Sequence, residues 1–336
     1  MTRFGVCVPP FAMPGASFFR TPAWRELEPL KAVEAAVEAE RLGYDSVWMA
    51  DHLIHGHDGA ILEGWTTLSV IAGRTSRVQL GTIHLAQPFR HPAMLAKMSA
   101  TLDALSGGRV VLFYDCGWGE AEVRAYGLDW PEEQERIERM GEGIEVMRGL
   151  WRADVPTDFE GRFFHFKGAV CRPSARHRIP IWLGEARTER WTEAVARYAD
   201  GWNSVPASPA RLKEKLDVVR AACDRAGRDF GELELSLETQ VLIAPTEREA
   251  RDLARAIAAL PGPARGRGQA ELLAHLAADD QRPLDETIDS WLIGSAASVV
   301  KRVREYEALG ISHFMLWFLD FPSLDGMRLF ADEVHQ

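Results

Sequence analysis

Eight short apolar runs, each followed by a stretch with helical spacing, constrain the fold of this 336-residue chain more than any other feature. The runs are FGVCVP (4–9), YDSVWM (44–49), VQLGTIHLA (78–86), RVVLFYDC (109–116), IPIWLG (179–184), DGWNSV (200–205), ELELSLETQVLIAP (232–245) and HFMLWF (313–318). They are nearly continuous in apolar character, as expected of parallel strands covered on both faces. Between them, stretches such as 27–43 and 295–310 repeat apolar residues every three or four positions. Residues 133–151 place Ile137, Met140, Ile144, Met147 and Leu150 on one helix face. Eight strands with helical partners predict an α/β fold, a (β/α)8 TIM barrel. A doubly wound sheet would want a G-x-G-x-x-G turn after the first strand, and PPFAMPGASFF does not supply one.

At this length an α/β barrel routinely forms one domain, so residues 1–336 are read as a single barrel carrying insertions. VPTDFEGRFFHFKGAVCRP (155–173) has the polar and aromatic mix of a short hairpin. The Pro/Gly-rich PGPARGRGQ (261–269) opens a segment to 290 that reads as a lid. The seventh run is long for one strand.

A net charge of -10 argues against nucleic-acid or membrane-surface partners, which need a clustered basic face. No segment reaches the ~20 apolar residues of a membrane span. Cys7, Cys116, Cys171 and Cys223 are widely spaced and indicate neither a disulfide framework nor a zinc ribbon. A reduced, cytoplasmic setting is the expectation.

Barrel sites lie just past the C-terminal ends of the strands. That rule draws attention to YDSVWMADHLIHGHD (44–58), where a buried strand runs directly into Asp51, His52, His55, His57 and Asp58. His52, beside a carboxylate able to orient it, is the candidate proton-handling group, with Asp51 as its partner. The alternative is a helix cap at Asp51 followed by surface histidines. His55 and His57 become substrate-rim candidates, with Phe11, Gln240 and Trp317 from other strand ends. At LGEARTER (183–190), Gly184, Glu185, Ala186, Arg187 and Thr188 join a strand to a helix, a turn whose free N–H groups suit a phosphate; the bland alternative is an N-cap by Thr188. His55-x-His57 is compatible with a metal-dependent hydrolase, but His165, His177 and His275 do not fall at strand ends, so no metal is expected.

Taken together, LGYDSVWMADH (42–52), TSRVQLGT (75–82), HPAMLAKMSATLDALSGGR (91–109), CGWGEAEVRAYGLDW (116–130), ERIERMGEGIEVMRGLW (135–151), FEGRFFHF (159–166), PIWLGEA (180–186), RYADGWN (197–203) and VVKRVREYEALGISHFML (299–316) resemble the luciferase-like monooxygenase family, in family order and over almost the whole chain. The resemblance implies a flavin at the barrel mouth and a catalytic or proton-managing role for His52. It also implies a bulged third strand with a non-proline cis peptide at Ile83-His84, against which the flavin ring rests. Asp115, Cys116, Trp118 and the 184–188 turn correspond to segments holding the ribityl chain and phosphate, and Arg136 matches a phosphate-approaching arginine.

The chain departs from the family pattern in three places. FYDCGW (113–118) replaces a Gly-rich run, which leaves Asp115 turned toward ring or substrate, or flavin binding altered. Gly184-Glu185-Ala186 replaces Gly-Gly-Ser, and Glu238 and Gln240 stand where sulfonate-specific members carry Arg and His. The resulting expectation is a monooxygenase using reduced FMN and O2 on a small organic substrate, supplied by a separate flavin reductase and paired as a homodimer through its second and third helices. The alternatives are a coenzyme F420-dependent oxidoreductase transferring hydride on the same fold, and a non-catalytic flavin-binding protein.

Overall fold

The chain's strands close on themselves. In the computed structural model, which describes residues 2–175, 177–185, 188–262, 268–278 and 281–335, the strands are β1 (Arg3–Val8), β2 (Ser46–Met49), β3 (Gln79–Thr82), β4 (Leu85–Ala86), β5 (Val110–Asp115), β6 (Thr157–Glu160), β7 (His165–Ala169), β8 (Ile181–Leu183), β9 (Gly201–Ser204), β10 (Glu234–Ala244), β11 (Leu292–Ser295) and β12 (His313–Phe318). Eight of them form a parallel ring in the order β1, β2, β3, β5, β8, β9, β10, β12, with β12 returning to β1. This is the predicted (β/α)8 barrel. The insertion at 155–173 is an antiparallel hairpin of β6 and β7.

The long seventh run performs two pairings. Its first half lies between β9 and β12, and Val241–Ala244 pairs with β11. Strand β11 falls outside the sequence expectation, which read 270–290 as irregular or helical and began a helix at Ser295. The expected lid instead holds a helix at Gln269–Ala277 and a helical turn at Leu284–Thr287, while 263–267 and 279–280 lie outside the described residues. Leu272, Leu276, Leu284 and Ile288 bury themselves with Leu242, Ile257 and Phe18 in a cluster beside the barrel.

Alternation along each strand sorts side chains between two cores. Val47, Met49, Leu80, Leu112, Ile181 and Leu316 face the helices, whereas Cys7, Trp48, Val111, Phe113, Trp182, Met315 and Trp317 fill the barrel. The interior layers alternate large with small. Trp48 and Trp182 meet at 5.0 Å between ring centroids, each edge-on to His313. Neighbouring strands make room with glycine: a Cβ on Gly5 would lie 2.6 Å from the Trp48 indole nitrogen, one on Gly81 would land on the Trp48 ring, and one on Gly201 would lie 2.5 Å from that of Trp182. Below them, His313 bonds Ser46 at 2.7 Å and Glu234 at 3.0 Å. The barrel is therefore plugged beneath its mouth, and chemistry is confined to the C-terminal rim.

Candidate active site

At that rim, β2 delivers His52, and the loop after β5 begins a short helix, Glu120–Ala125, that carries Glu122 back toward it. His52 Nδ1 lies 2.7 Å from Glu122 Oε1, and Glu122 Oε2 accepts the backbone N–H groups of Leu53 at 2.9 Å and Ile54 at 3.3 Å. Burial raises the Glu122 carboxyl, but the bond from His52 and these amides outweigh it and leave the group below the ordinary carboxylate range. An ionised Glu122 accepts from Nδ1–H, so Nε2 is the atom left to take or give a proton. The ring is fixed further by His55, stacked at 4.9 Å, and by Trp118, edge-on at 4.8 Å.

Asp51 does not partner His52. Its carboxylate, 2% exposed, forms a fork with Arg90 at 2.7 and 2.8 Å and accepts the Ala86 N–H at 3.1 Å, and Arg90 also pairs with Glu63. The side chain next to His52 in sequence thus fastens β2 to β4, and the carboxylate that polarises His52 comes from 70 residues away. Sequence reasoning missed Glu122, Arg90 and Glu63. The one signal for Glu122 was its place in the GEAE acids that open a helix after the family-like CGW.

The third strand breaks between β3 and β4, and the Ile83–His84 peptide there is cis, as the resemblance implied. His84 packs on Phe113 at 4.3 Å, and both of its ring nitrogens are buried without a hydrogen-bond partner. Burial lowers its pKa, against the pull of Asp115 and Glu238, so the ring is neutral. Asp115 is a turn former: Oδ1 accepts the Gly117 N–H at 2.6 Å, and Gly117, at φ 88°, swings the chain round to present Trp118. Its Oδ2 lies 3.9 Å from His84 Nδ1. Cys116 is buried, its thiol pushed up by desolvation. Arg136 stacks on Trp130 at 3.9 Å and donates to the Pro131 carbonyl at 2.8 Å, while its Nε is buried without a partner.

The described part of the turn after β8 contains the N-cap. Thr188 Oγ1 accepts the Trp191 N–H at 3.3 Å as an N-cap, the Gly184 carbonyl accepts the Trp191 indole N–H at 3.1 Å, and Glu185 pairs with Lys215 at 2.7 Å. Thr188 and Glu185 are therefore already engaged within the protein, and Ala186 and Arg187 lie outside the described residues. Among the substrate candidates, Phe11 packs on His55 at 4.3 Å and faces Trp317 at 6.2 Å. Gln240 is held by the Arg20 N–H at 2.9 Å. His57, 45% exposed and 3.8 Å from Asp58, stands outside the cluster. The enclosed space between His52, His84, Asp115, Trp118 and Glu122 is about 10 Å³, room for about one water. Trp118, 54% exposed, stands at the opening. The chemistry of the donors fits a flavin-like group: His84 and Arg136 are half-buried side chains, and both His84 ring nitrogens and the Arg136 Nε are buried and in want of partners.

The model of the luciferase-like monooxygenases matches residues 2–313. The chain belongs to this family. It is 31% identical over 313 residues to an F420-dependent glucose-6-phosphate dehydrogenase of Nakamurella multipartita, covering 90% of each chain, and 31% identical to a protein of the same name from Segniliparus rotundus, covering 86% of this chain and 88% of that one. A monooxygenase from Streptomyces bottropensis shares the fold, with a TM-score of 0.75 at 24% identity over 99% of this chain and 98% of that one. The chain is an oxidoreductase. The relatives overturn the expectation of an oxygen-incorporating monooxygenase using reduced FMN, because those that match over most of this luciferase-like chain are named as F420-dependent dehydrogenases. No described helix is long and apolar enough to cross a membrane.

Proposed function

We propose that this luciferase-like protein is a coenzyme F420-dependent oxidoreductase that moves a hydride between a small organic substrate and the deazaflavin. The observation that carries the reading is the His52–Glu122 pair at the rim, beside the unpartnered nitrogens of His84, in a chain whose long matches include relatives named for this coenzyme. When bound, the deazaflavin supplies the hydride-accepting carbon, so an alcohol losing hydride to it must lose its hydroxyl proton to a base. His52 Nε2 is that base, Glu122 holds its tautomer and balances the imidazolium, and the aromatic rim keeps bulk water from the transfer. Arg136 and the Gly117 turn would hold the coenzyme's phosphate and side chain, and His84 would contact its ring.

A homodimer through the helices Gly64–Arg74 and Pro92–Ser106 belongs to the same proposal, because Val70 and Met94 expose apolar surface on them. Sedimentation as a monomer at micromolar concentration would remove that part. The cofactor is tested by titrating the protein with F420 and, separately, with FMN, following fluorescence quenching. Substrate-dependent bleaching of F420 is then measured with and without oxygen. Tight F420 binding and oxygen-independent bleaching are expected; preference for FMN, or turnover that needs oxygen, overturns the reading.

A further inference from the structure

Across the mouth from His52, on the side of β10 and β12, the structure holds a charge pair that none of the site chemistry above uses. Glu238 points into the barrel and is 3% exposed. Its carboxylate pairs with the Arg20 guanidinium and accepts the Trp317 indole N–H at 2.7 Å. Arg20 lies over the Trp317 ring, 4.2 Å from its centroid, and its backbone N–H is fixed on Gln240. The loop that brings it there is contorted for the purpose: Phe18 and Arg20 both have φ of 54°, a left-handed conformation unfavourable for such side chains. One result is that Phe18 enters the cluster beside the barrel while Arg20 enters the mouth. Burial raises the Glu238 carboxyl, and the Arg20 charge with the hydrogen bonds from Arg20 and the Trp317 indole more than reverses it, so the group is ionised and Arg20 is neutralised in place.

The other cations at the rim are also taken. Arg90 is bound by Asp51 and Glu63, and Lys215 by Glu185. Among the described rim residues discussed above, Arg136 alone lacks a carboxylate partner, and it lies on the β5 side with the Gly117 turn. A phosphomonoester dianion drawn out of water needs uncompensated positive charge. Among these described residues, one unneutralised guanidinium is left, too few for both a coenzyme phosphate and a substrate phosphate; Arg187, Arg265 and Arg267 lie outside the described residues.

We infer that Arg20 and Glu238 set substrate class, and that the substrate is an uncharged hydroxyl or carbonyl compound with an apolar body rather than a phosphorylated sugar. This inference rests on the proposed hydride-transfer reading and names its substrate class. Phe11, Phe19, Ile61 and Trp317 form the apolar wall of the pair's surroundings. The pair presents zero net charge to that wall, which suits a neutral hydroxyl and penalises a dianion.

The test uses cyclohexanol, glucose-6-phosphate and cyclohexanecarboxylate as probes. With F420-loaded protein, cyclohexanol is expected to bleach the coenzyme with kcat/KM at least 100-fold above glucose-6-phosphate. Calorimetry is expected to show no saturable binding of glucose-6-phosphate. Glu238→Gln frees the Arg20 charge and should tighten cyclohexanecarboxylate binding at least tenfold and lower its inhibition constant to match, while F420 affinity changes less than threefold. Arg20→Gln should abolish anion binding. Efficient turnover of glucose-6-phosphate, or equal anion affinity in wild type and both variants, overturns the inference. Failure to bind F420 overturns the cofactor reading alone, because the calorimetric comparison of the three proteins still decides the role of the pair.

Discussion

Glu122 accepts a hydrogen bond from His52 Nδ1 over 2.7 Å, joining a group at the end of β2 to one in the loop region after β5. That bond fixes which imidazole nitrogen is available for proton transfer. His52→Ala should lower kcat for hydride transfer by about 10²–10⁴-fold, the usual contribution of a positioned general base. Glu122→Gln should cost a smaller factor, because the ring remains but its tautomer and imidazolium are no longer supported. Both variants should bind F420 with near-native affinity. Rapid single-turnover bleaching checks this, and native kcat in His52→Ala would remove the residue from the mechanism.

Asp51 is predicted to be structural. Its fork to Arg90 is almost wholly buried, so Asp51→Ala leaves a buried guanidinium with only Glu63 and should destabilise the protein by about 3–5 kcal/mol. Urea unfolding measures the loss. A variant with native stability and absent turnover would return Asp51 to the catalytic group.

The contrast between these two carboxylates shows what the sequence can reveal. Runs such as VQLGTIHLA and HFMLWF announce buried strands by composition, and the family-like order of segments anticipates the Ile83–His84 cis peptide. Partnership is harder, because it depends on how strands far apart in the chain are brought together. Asp51 precedes His52 in sequence, yet past the end of β2 the two side chains reach different partners, and the carboxylate bonded to the imidazole arrives from another βα unit. Arg20 was invisible for the same reason, since its loop has no periodicity and its role exists only opposite Glu238. LIGS of β11 is too short, and too close to a strong helix, to read as a strand. The cofactor class was not legible at all, because a barrel, a bulged strand and a rim histidine serve flavin and deazaflavin alike.

Arg136 is expected to act on the coenzyme rather than on the substrate. A hydrogen bond to a charged group contributes about 1.5–3 kcal/mol, so Arg136→Ala should weaken F420 about 10- to 100-fold with kcat at saturation little changed. Fluorescence titration against the same variant's steady-state kinetics separates the two effects. An unchanged dissociation constant would show that the Trp130 stack is only a packing contact.

Stability at low pH should depend on Glu40. Its carboxylate collects the backbone N–H groups of Ser76, Arg77 and Val78 at 2.6–3.0 Å, clamping the turn before β3. Burial raises this group, but the amides prevail and hold its pKa at about 2, against an ordinary 4.5. A depressed folded-state pKa gives stability that is present above 4.5 and lost as pH falls toward 2. Glu40→Gln should be less stable than the wild type at pH 7 and should show a shallower loss between pH 4.5 and 2. Parallel denaturation at several pH values checks the sign; identical slopes would mean that the clamp contributes nothing.

The barrel interior offers the sharpest test of packing. Trp48 fills the space left by Gly5 and Gly81 on the strands to either side, and a Cβ on Gly81 would fall on its ring, which is held in turn by Trp182 and His313. The indole cannot retreat, since its N–H is fixed on Ser46 at 2.8 Å. Gly81→Ala should therefore cost at least the 1–3 kcal/mol typical of overpacking, by about the same route as any added methyl in a filled core. Gly149→Ala is the matched control: it lies within the helix Glu133–Arg152, a Cβ there meets no atom within 4 Å, and a helical Gly→Ala change should stabilise by about 0.5–1 kcal/mol. Opposite signs in thermal unfolding, with Trp fluorescence perturbed only in Gly81→Ala, are the expected result. A Gly81→Ala protein as stable as the wild type would mean that the tryptophan layer is loose, and that the plug beneath the active site is not rigid.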